Sequence, residues 1–579
     1  MARRVLPLST AYQLGRKIYH SLAVDIGGPM RRINLRTGRV PVLFDGRIAN
    51  LTGDKAKGDA LLKGHFSYVG QNLDVGGQGD PWSIPAPSER FAQWLHGFHW
   101  MPDLLMSRDK AAMVRARYLV DRWSELFGQW NAYAWSPEIL THRLYNWLVF
   151  WSPALSVDSL SDIADTRRRI TVRQLKRLKI TFDRLPKGPI RLKAAAVLAL
   201  GGLRLNGRED PFYHKGLDLL DDETAEQILP DGGIITRCPA DIADTLAIFT
   251  ALETLIQARG VEGSPSLTRA IDRMQAALSF FMHTDGGLAS FNGGGEGHRP
   301  ALAALLKRAE LPEQPFSVCP NTAYQRVAAG DTVMILDSGG TPRHGYDTRA
   351  HQAPLAFELS NSAGRMIVNC GWTPEQPLNW HRMMRHTVSH STLILDNAAA
   401  GQLVKEGTKS DVHGDVFMKD VGKVTVSRQE QAAGVWIEAD HNGYEAEYGL
   451  SHRRRFYVSA DGHDIRGEDT LYLPYGATPK SSKPIPFDLR FHLHPDIIVT
   501  LAQDQNSALI IQPKGVGWRL RTDGGPIELD KSVYFASGYR GKECQQIIIR
   551  GAAFADGDGE ASSNRVRWSL RRLEKRVSR

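Results

Sequence analysis

A run of aromatic and basic side chains between residues 94 and 151 carries the first chemical signal. Trp94, His96, Phe98, His99 and Trp100 are followed by Trp130, Tyr133, Trp135, His142, Arg143, Tyr145, Asn146, Trp147 and Trp151. Aromatic faces stack on sugar rings, and an arginine fork holds a carboxylate or sulfate through two parallel hydrogen bonds. Most of these tryptophans also read as core packing between helices. His142, Arg143 and Asn146 share one predicted helix and are the candidates for lining a cleft. A second signal is the polar loop running from His344 through Tyr346 to His351. Imidazole titrates near neutrality, so His351 suits a base or a carboxylate neutraliser, with an ordinary loop histidine as the alternative. A third is Asn442-Gly443-Tyr444, where Asn-Gly also signals a hairpin turn and Tyr444 is either a packed ring or an acid–base group.

Two kinds of element must position these residues. Apolar residues at spacings of three and four predict helices over 110–127, 137–151, 166–185, 190–205, 240–258 and 266–282. Turn signals separate them, among them Asn206-Gly207, Asp231-Gly232-Gly233 and Asp285-Gly286-Gly287. Stacked helical hairpins of this kind build a bundle, a solenoid or a closed toroid. After residue 320 the pattern changes to short β-branched and aromatic runs: 332–336, 355–359, 365–369, 391–395, 423–427, 434–438, 454–458, 464–469, 489–493, 497–501, 508–512 and 545–550. So many strands without intervening helices imply a large antiparallel sandwich. The expected organisation is an arm over 1–80, a helical domain over 81–315 and a β-sandwich over 316–579.

Bulk properties narrow the partners. The chain has 579 residues, 42% of them hydrophobic and 23% charged, which is ample for full cores. A net charge of +9 favours polyanions. No RNA- or DNA-binding motif is present, and Lys and Arg are dispersed, so nucleic acid is not expected. Cys238, Cys319, Cys370 and Cys544 are far apart and read as buried thiols. No stretch is apolar for long enough to span a membrane. Arg3 and Arg4 precede only a short apolar patch, and Arg16 and Lys17 cut it off, which makes a poor secretory signal.

Five strings, in order, carry a resemblance. They are Ile228-Leu229-Pro230-Asp231-Gly232-Gly233; the stretch 280–293 with His283 and Asn292; Ala350-His351-Gln352-Ala353-Pro354-Leu355-Ala356-Phe357; Arg385-His386-Thr387-Val388-Ser389-His390-Ser391-Thr392-Leu393; and His441-Asn442-Gly443-Tyr444 followed by His452-Arg453-Arg454-Arg455. Together they resemble the heparinase II/III-like family. The resemblance implies an α+β multidomain fold, an N-terminal (α/α) toroid followed by a large antiparallel β-sandwich. It also implies a polysaccharide lyase acting on an acidic, uronate-containing glycan by β-elimination. That chemistry needs a neutraliser for the substrate carboxylate, a base for the C5 proton and an acid for the leaving oxygen. His351 and Tyr444 match as catalytic candidates, and Arg385 matches as a substrate-binding one. Family members with a metal hold structural zinc through His, Asp and His. His390 and His441 match two ligands, and Asp411 is the best-spaced acid between them, with Asp415 as a rival; two core histidines bonded to backbone are the alternative.

The departures fall on the chemistry. An Asn-His pair that usually opens one toroid helix is missing from Lys187-Gly188-Pro189-Ile190-Arg191. The usual Tyr and His after the "DGG" turn are Asp241 and Ile242, and the histidine expected two residues before His390 is Val388. The elimination machinery is therefore absent or assembled differently, with Asp241 as a buried base and Arg191 or Arg237 as the carboxylate neutraliser. A non-catalytic acidic-glycan-binding or envelope-biogenesis protein on the same scaffold is the alternative, and a hydrolase using paired carboxylates is a third. The family points to the periplasm or cell envelope, while the weak leader leaves the cytoplasm open.

Overall fold

The computed structural model describes residues 35, 37–38, 40–48, 53–106, 109–156, 161–307, 315–405, 415–554 and 564–573. The chain forms two compact units. Among the described residues, the helical unit comprises the chain up to Ile228 together with Asp244–Asp272. The strand-rich unit comprises Leu229–Ala243 and the chain from Arg273 onward.

The helices are α1 (Lys55–Leu62), α2 (Glu89–His96), α3 (Met101–Leu105), α4 (Lys110–Phe127), α5 (Pro137–Val149), α6 (Asp162–Thr181), α7 (Pro189–Arg204), α8 (Pro211–Gln227), α9 (Pro239–Arg259), α10 (Pro265–Phe280) and α11 (Arg299–Leu306). A hairpin of β1 (His65–Tyr68) and β2 (Gln71–Asp74) lies between the first two. Side-chain caps start several helices. Asp109 accepts from the Ala112 amide at 2.7 Å, Ser161 from Ala164 at 3.2 Å, and Asp210 from Phe212 at 2.8 Å with Pro211 in the first turn. α7 is the buried centre of this unit: every side chain from Ala194 to Leu203 is buried. α8 lies closely against it, since a Cβ at Gly202 would strike the Tyr213 backbone and one at Gly216 would strike Ala199.

The strands of the second unit are β3 (Val318–Cys319), β4 (Tyr324–Ala329), β5 (Thr332–Asp337), β6 (Phe357–Asn361), β7 (Gly364–Val368), β8 (Leu393–Leu395), β9 (Gln402–Leu403) and β10 (Phe417–Lys419). They continue as β11 (Val424–Gln431), β12 (Gly434–His441), β13 (Ser451–Ser459), β14 (Asp464–Tyr472), β15 (Ile485–Leu493) and β16 (Ile498–Leu501). The last are β17 (Ser507–Ile511), β18 (Gly517–Thr522), β19 (Ile527–Tyr534), β20 (Lys542–Ala553) and β21 (Arg565–Arg572). One sheet has eight strands in the order β11-β12-β13-β14-β21-β18-β17-β16. The other has nine, β19-β20-β15-β7-β6-β5-β4-β3 with β8 beside β15, and every pairing in both is antiparallel. Each of the twelve predicted strand runs overlaps one of these strands.

One apolar core joins the two sheets. Phe357 of β6 stacks on Trp568 of β21 at 6.0 Å and meets Phe456 of β13 edge-on at 5.0 Å; Phe491 of β15 meets Trp568 at 5.0 Å. β5 and β6 are buried along their whole length, hence on both faces. Two "DGG" turns anchor the flanking segments to the sheet. Asp231 accepts from the Asn321 and Thr322 amides at 2.8 and 2.7 Å. Asp285 takes the Arg365 guanidinium of β7 at 3.0 Å and Arg299 at 2.6 Å. Phe357→Ala should leave a cavity at the centre of this core and lower unfolding free energy by about 3–5 kcal/mol, read as a lower urea midpoint at unchanged slope.

Candidate functional site

Within the helical unit, three helices and one turn bring titratable groups together. His142 and Tyr145 are three residues apart on α5, so their side chains share a face. Lys193 lies in the opening turns of α7, and its ammonium is 3.2 Å from His142 Nδ1 and 4.3 Å above the Tyr145 ring. The His99 ring, from the turn between α2 and α3, lies 4.5 Å from that of His142. Asp244 of α9 acts on the group electrostatically. His99 is exposed and His142, Tyr145 and Lys193 are half-buried, yet loss of hydration is the first cause of every shift here. Water reaches groups that protein largely surrounds, which describes a recess rather than a core. Dehydration, with the Lys193 charge second, holds both imidazoles below their ordinary range. Dehydration likewise pushes Lys193 down from 10.5 to about 8, against the pull of Asp244, and raises the Tyr145 phenol.

The same helix explains how the turn is held. Arg143 donates to the carbonyl of Ala134 at 2.7 Å, to that of His96 at 3.2 Å and to Gln174 Oε1 at 2.7 Å, and it lies 4.1 Å over Trp123. Asn146 donates to the Gly97 carbonyl at 2.9 Å. Phe98 has φ +57° and is fully buried against Trp82, Trp100, Trp123 and Trp147. A left-handed phenylalanine is strained, and this packing imposes it. Of the three cleft candidates, then, His142 faces the cluster, whereas Arg143 and Asn146 fasten the turn that presents His99.

Within the strand-rich unit, Arg237, His351 and His390 belong to one buried network, and Asp241 is buried a few residues beyond Arg237. Asp241 accepts from Thr236 Oγ1 at 2.7 Å and takes the Arg349 guanidinium at 2.7 Å on both oxygens. Arg237 pairs with Asp337 and donates to the carbonyls of Thr322, Gly340 and Ala323. Tyr324 donates to the Arg237 carbonyl at 2.7 Å and receives Asn292 Nδ2 at 2.7 Å, and Asn292 Oδ1 accepts the His351 amide at 3.0 Å. The Gly293 amide donates to His351 Nε2 at 2.9 Å and the Asn292 amide to His351 Nδ1 at 3.2 Å, and that Nδ1 lies 2.7 Å from His390 Nε2. His390 Nδ1 then donates to the His386 carbonyl at 2.9 Å. Burial keeps both rings uncharged, His351 well below its ordinary range and His390 near 4.

A second closed chain runs through the third signal. Tyr444 donates to the Leu393 carbonyl at 3.2 Å, and burial holds its phenol protonated. Asp469 accepts from His452 Nε2 at 2.8 Å and from Arg454 at 2.7 Å, which keeps its carboxyl down at about 2. His452 Nδ1 therefore accepts from His441 Nε2 at 3.1 Å, and His441 Nδ1 accepts from the Gly443 amide at 3.2 Å. Arg385 is buried with its nitrogens on the carbonyls of Ala350, Asp347 and Asp415.

These bonds bear on zinc. Each ring nitrogen of His390 and His441 has a partner within the protein. Asp411 lies outside the described residues, and Asp415 pairs with Arg382. Among the described residues no group of three or more His, Cys, Asp or Glu is arranged to hold a metal ion. Sequence reasoning did not single out Lys193, Asp244 or Arg349 as site residues, and it counted His99 and Tyr145 only as aromatic material. The one local signal for the recess is the three-residue spacing of His142 and Tyr145 on α5.

The helical unit followed by an antiparallel sandwich is the architecture of polysaccharide lyase-like proteins, and comparison bears this out. Residues 312–569 match the family model described as heparinase II/III-like, C-terminal. FtsZ-localized protein C of Caulobacter vibrioides (strain NA1000 / CB15N) is 31% identical over 526 residues, covering 90% of this chain and 88% of that one. The crystal structure of heparinase III superposes with a TM-score of 0.66 at 15% identity, over 98% of this chain and 92% of the other. The heparan sulfate lyase HepC from Pedobacter heparinus gives a TM-score of 0.58 at 13% identity, over 98% and 92%. The chain belongs to the heparinase II/III-like family.

Removing Arg237 tests the buried network. Arg237→Met leaves Asp337 without its cation and should cost roughly 3–5 kcal/mol in urea unfolding. The double variant Arg237→Met/Asp337→Leu should recover part of that loss, which an additive pair would not.

Proposed function

We propose that the protein binds an acidic, uronate-containing glycan in the recess of the helical unit and cleaves it by β-elimination. The observation that carries this reading is the Lys193–His142 pair. Lys193 donates to His142 Nδ1, so His142 carries its own proton on Nε2 and is a second donor beside the ammonium. Together they suit a uronate carboxylate and would neutralise it as C5 loses its proton. His99, accessible and uncharged, takes that proton. The electron pair left on C5 forms the C4–C5 double bond while the C4–O bond breaks, and Tyr145 gives its proton to the departing oxygen. His351, Tyr444 and Asp241 fit this scheme less well, because each is occupied by partners inside the protein.

A second reading is a glycan-binding or envelope-biogenesis protein without turnover. Its support is the substitution of the usual catalytic positions, together with a relative named as localised to FtsZ. The cell envelope is the location that fits either reading.

Incubation with a panel of uronate polymers separates the two. Cleavage creates an unsaturated uronate with new ultraviolet absorbance, whereas binding alone creates none. His99→Ala should slow cleavage by about 10²–10⁴-fold, the usual contribution of a positioned base, with thermal stability retained. No absorbance change with any polymer, alongside measurable binding, would move the conclusion to the second reading. Retention of the glycan also has a pH signature. Lys193 loses its charge through about pH 8, so affinity should fall as pH rises through that value, with His99, His142, Tyr145 and Asp244 the groups facing it. Affinity that stays flat to about pH 10, where an ordinary lysine titrates, would remove Lys193 from the site.

A further inference from the structure

The outward face of the eight-stranded sheet has a charge pattern that the proposed chemistry does not use. On the central strands side chains alternate in and out, and the outward positions are dominated by arginine. The acids among them are already committed. Glu468 takes Arg455 and Arg567, each at 3.0 Å; Asp464 takes Arg466 at 2.7 Å and Arg571 at 3.1 Å; Asp440 takes Arg453 at 3.0 Å; Glu438 takes Arg455. Arg519 and Arg521 of β18 stand across from Arg571 and Ser569 of β21 and, among the described residues, have no acidic partner. The face therefore carries an excess of fixed positive charge.

A groove of about 550 Å³ crosses this face, with Arg455, Arg466, Arg521 and Arg567 along it beside the acids Glu468 and Asp523, and with Trp436 and Tyr457 at one end. The two rings lie 4.6 Å apart, and Trp436 is 47% exposed. A tryptophan left in water beside a row of arginines does nothing for the core beneath it.

We propose that this groove is a second binding surface, remote in sequence from the recess residues, for an extended acidic polysaccharide. The class of polymer rests on the function proposed above; the surface does not. Cations recur from strand to strand at the sheet spacing of about 4.8 Å, a linear array that fits a charged chain rather than one small anion. The exposed aromatic pair offers one platform for a sugar ring, and the rest of the groove offers guanidinium forks for carboxylate or sulfate. A single-stranded nucleic acid would call instead for a succession of stacking rings along the groove. The surface would hold a long chain without cleaving it, leaving the recess to act on that chain or on shorter pieces.

The test uses the full chain and labelled heparin and polygalacturonate, each as a long polymer and as short oligosaccharides. R519E/R521E and Trp436→Ala change exposed or half-buried groups and should melt with the unaltered protein. R519E/R521E should weaken binding of the long polymers by about tenfold or more and flatten its dependence on salt, because fewer counterions are released. Short oligosaccharides should bind the recess as before. In the reciprocal experiment, Lys193→Ala should weaken short oligosaccharides and leave long-polymer retention largely intact. If Lys193→Ala changes nothing while R519E/R521E does, the recess reading fails and this surface stands. Unchanged long-polymer affinity in R519E/R521E overturns the proposal. So does tighter binding of a single-stranded oligonucleotide or of anionic vesicles than of either glycan.

Discussion

Burial of the Arg237 guanidinium is the constraint around which the polar interior of the strand-rich unit is arranged. A cation without water must find an anion and enough acceptors, and Arg237 has Asp337 and three carbonyls. Meeting that demand fixes the turn after Gly233 in a left-handed conformation at Arg237, φ +58°, and so sets where Cys238 and Asp241 begin α9. It also sets Tyr324, whose hydroxyl closes on the Arg237 carbonyl, and through Asn292 it sets the His351 backbone. Segments more than a hundred residues apart are held in register by bonds whose loss would leave a charge in the interior. Two buried histidine pairs obey the same logic by the opposite route: dehydration removes their charge, and partners within the protein take up the ring nitrogens.

That contrast separates scaffold from chemistry. A group whose every donor and acceptor is engaged inside the protein is stabilising and inert. His351, His390, His441, Tyr444, Arg237 and Arg385 are all of this kind. Lys193, His142, Tyr145 and His99 are different, for water reaches them while protein still shifts their proton affinities. Perturbed and accessible groups are where an acid, a base or an anion site can operate.

The architecture was legible because period and punctuation agreed. α4 shows both an Asp109 cap and a three–four apolar spacing, and the twelve predicted strand runs had β-branched cores between Gly, Asp and Asn. Elements were missed where the buried face is itself polar. α8 buries Glu223, Thr224 and Gln227 beside Phe212, Tyr213 and Leu220, which dilutes its apolar stripe, although Asp210-Pro211 marks its start. β21 hides Val566, Trp568 and Leu570 among Arg565, Arg567 and Arg571, which belong to the outer face. The family strings pointed to the family, yet matching strings cannot tell an accessible histidine from one whose ring is already bonded on both sides. The recess was illegible for another reason: Lys193 and His99 meet His142 only through packing, and no local spacing encodes that meeting.

Charge balance ties these observations together. The chain carries +9, but an arginine sealed against carbonyls exerts little field outside and draws no ligand. What acts outward is the charge that packing leaves unsatisfied. In the helical unit Lys193 is such a charge, weakened by the loss of hydration around it. On the outer sheet it is a set of arginines, permanently ionised and paired with too few acids. A titratable cation suits a site where charge must be matched during a reaction, and fixed guanidinium groups suit a surface that only has to hold.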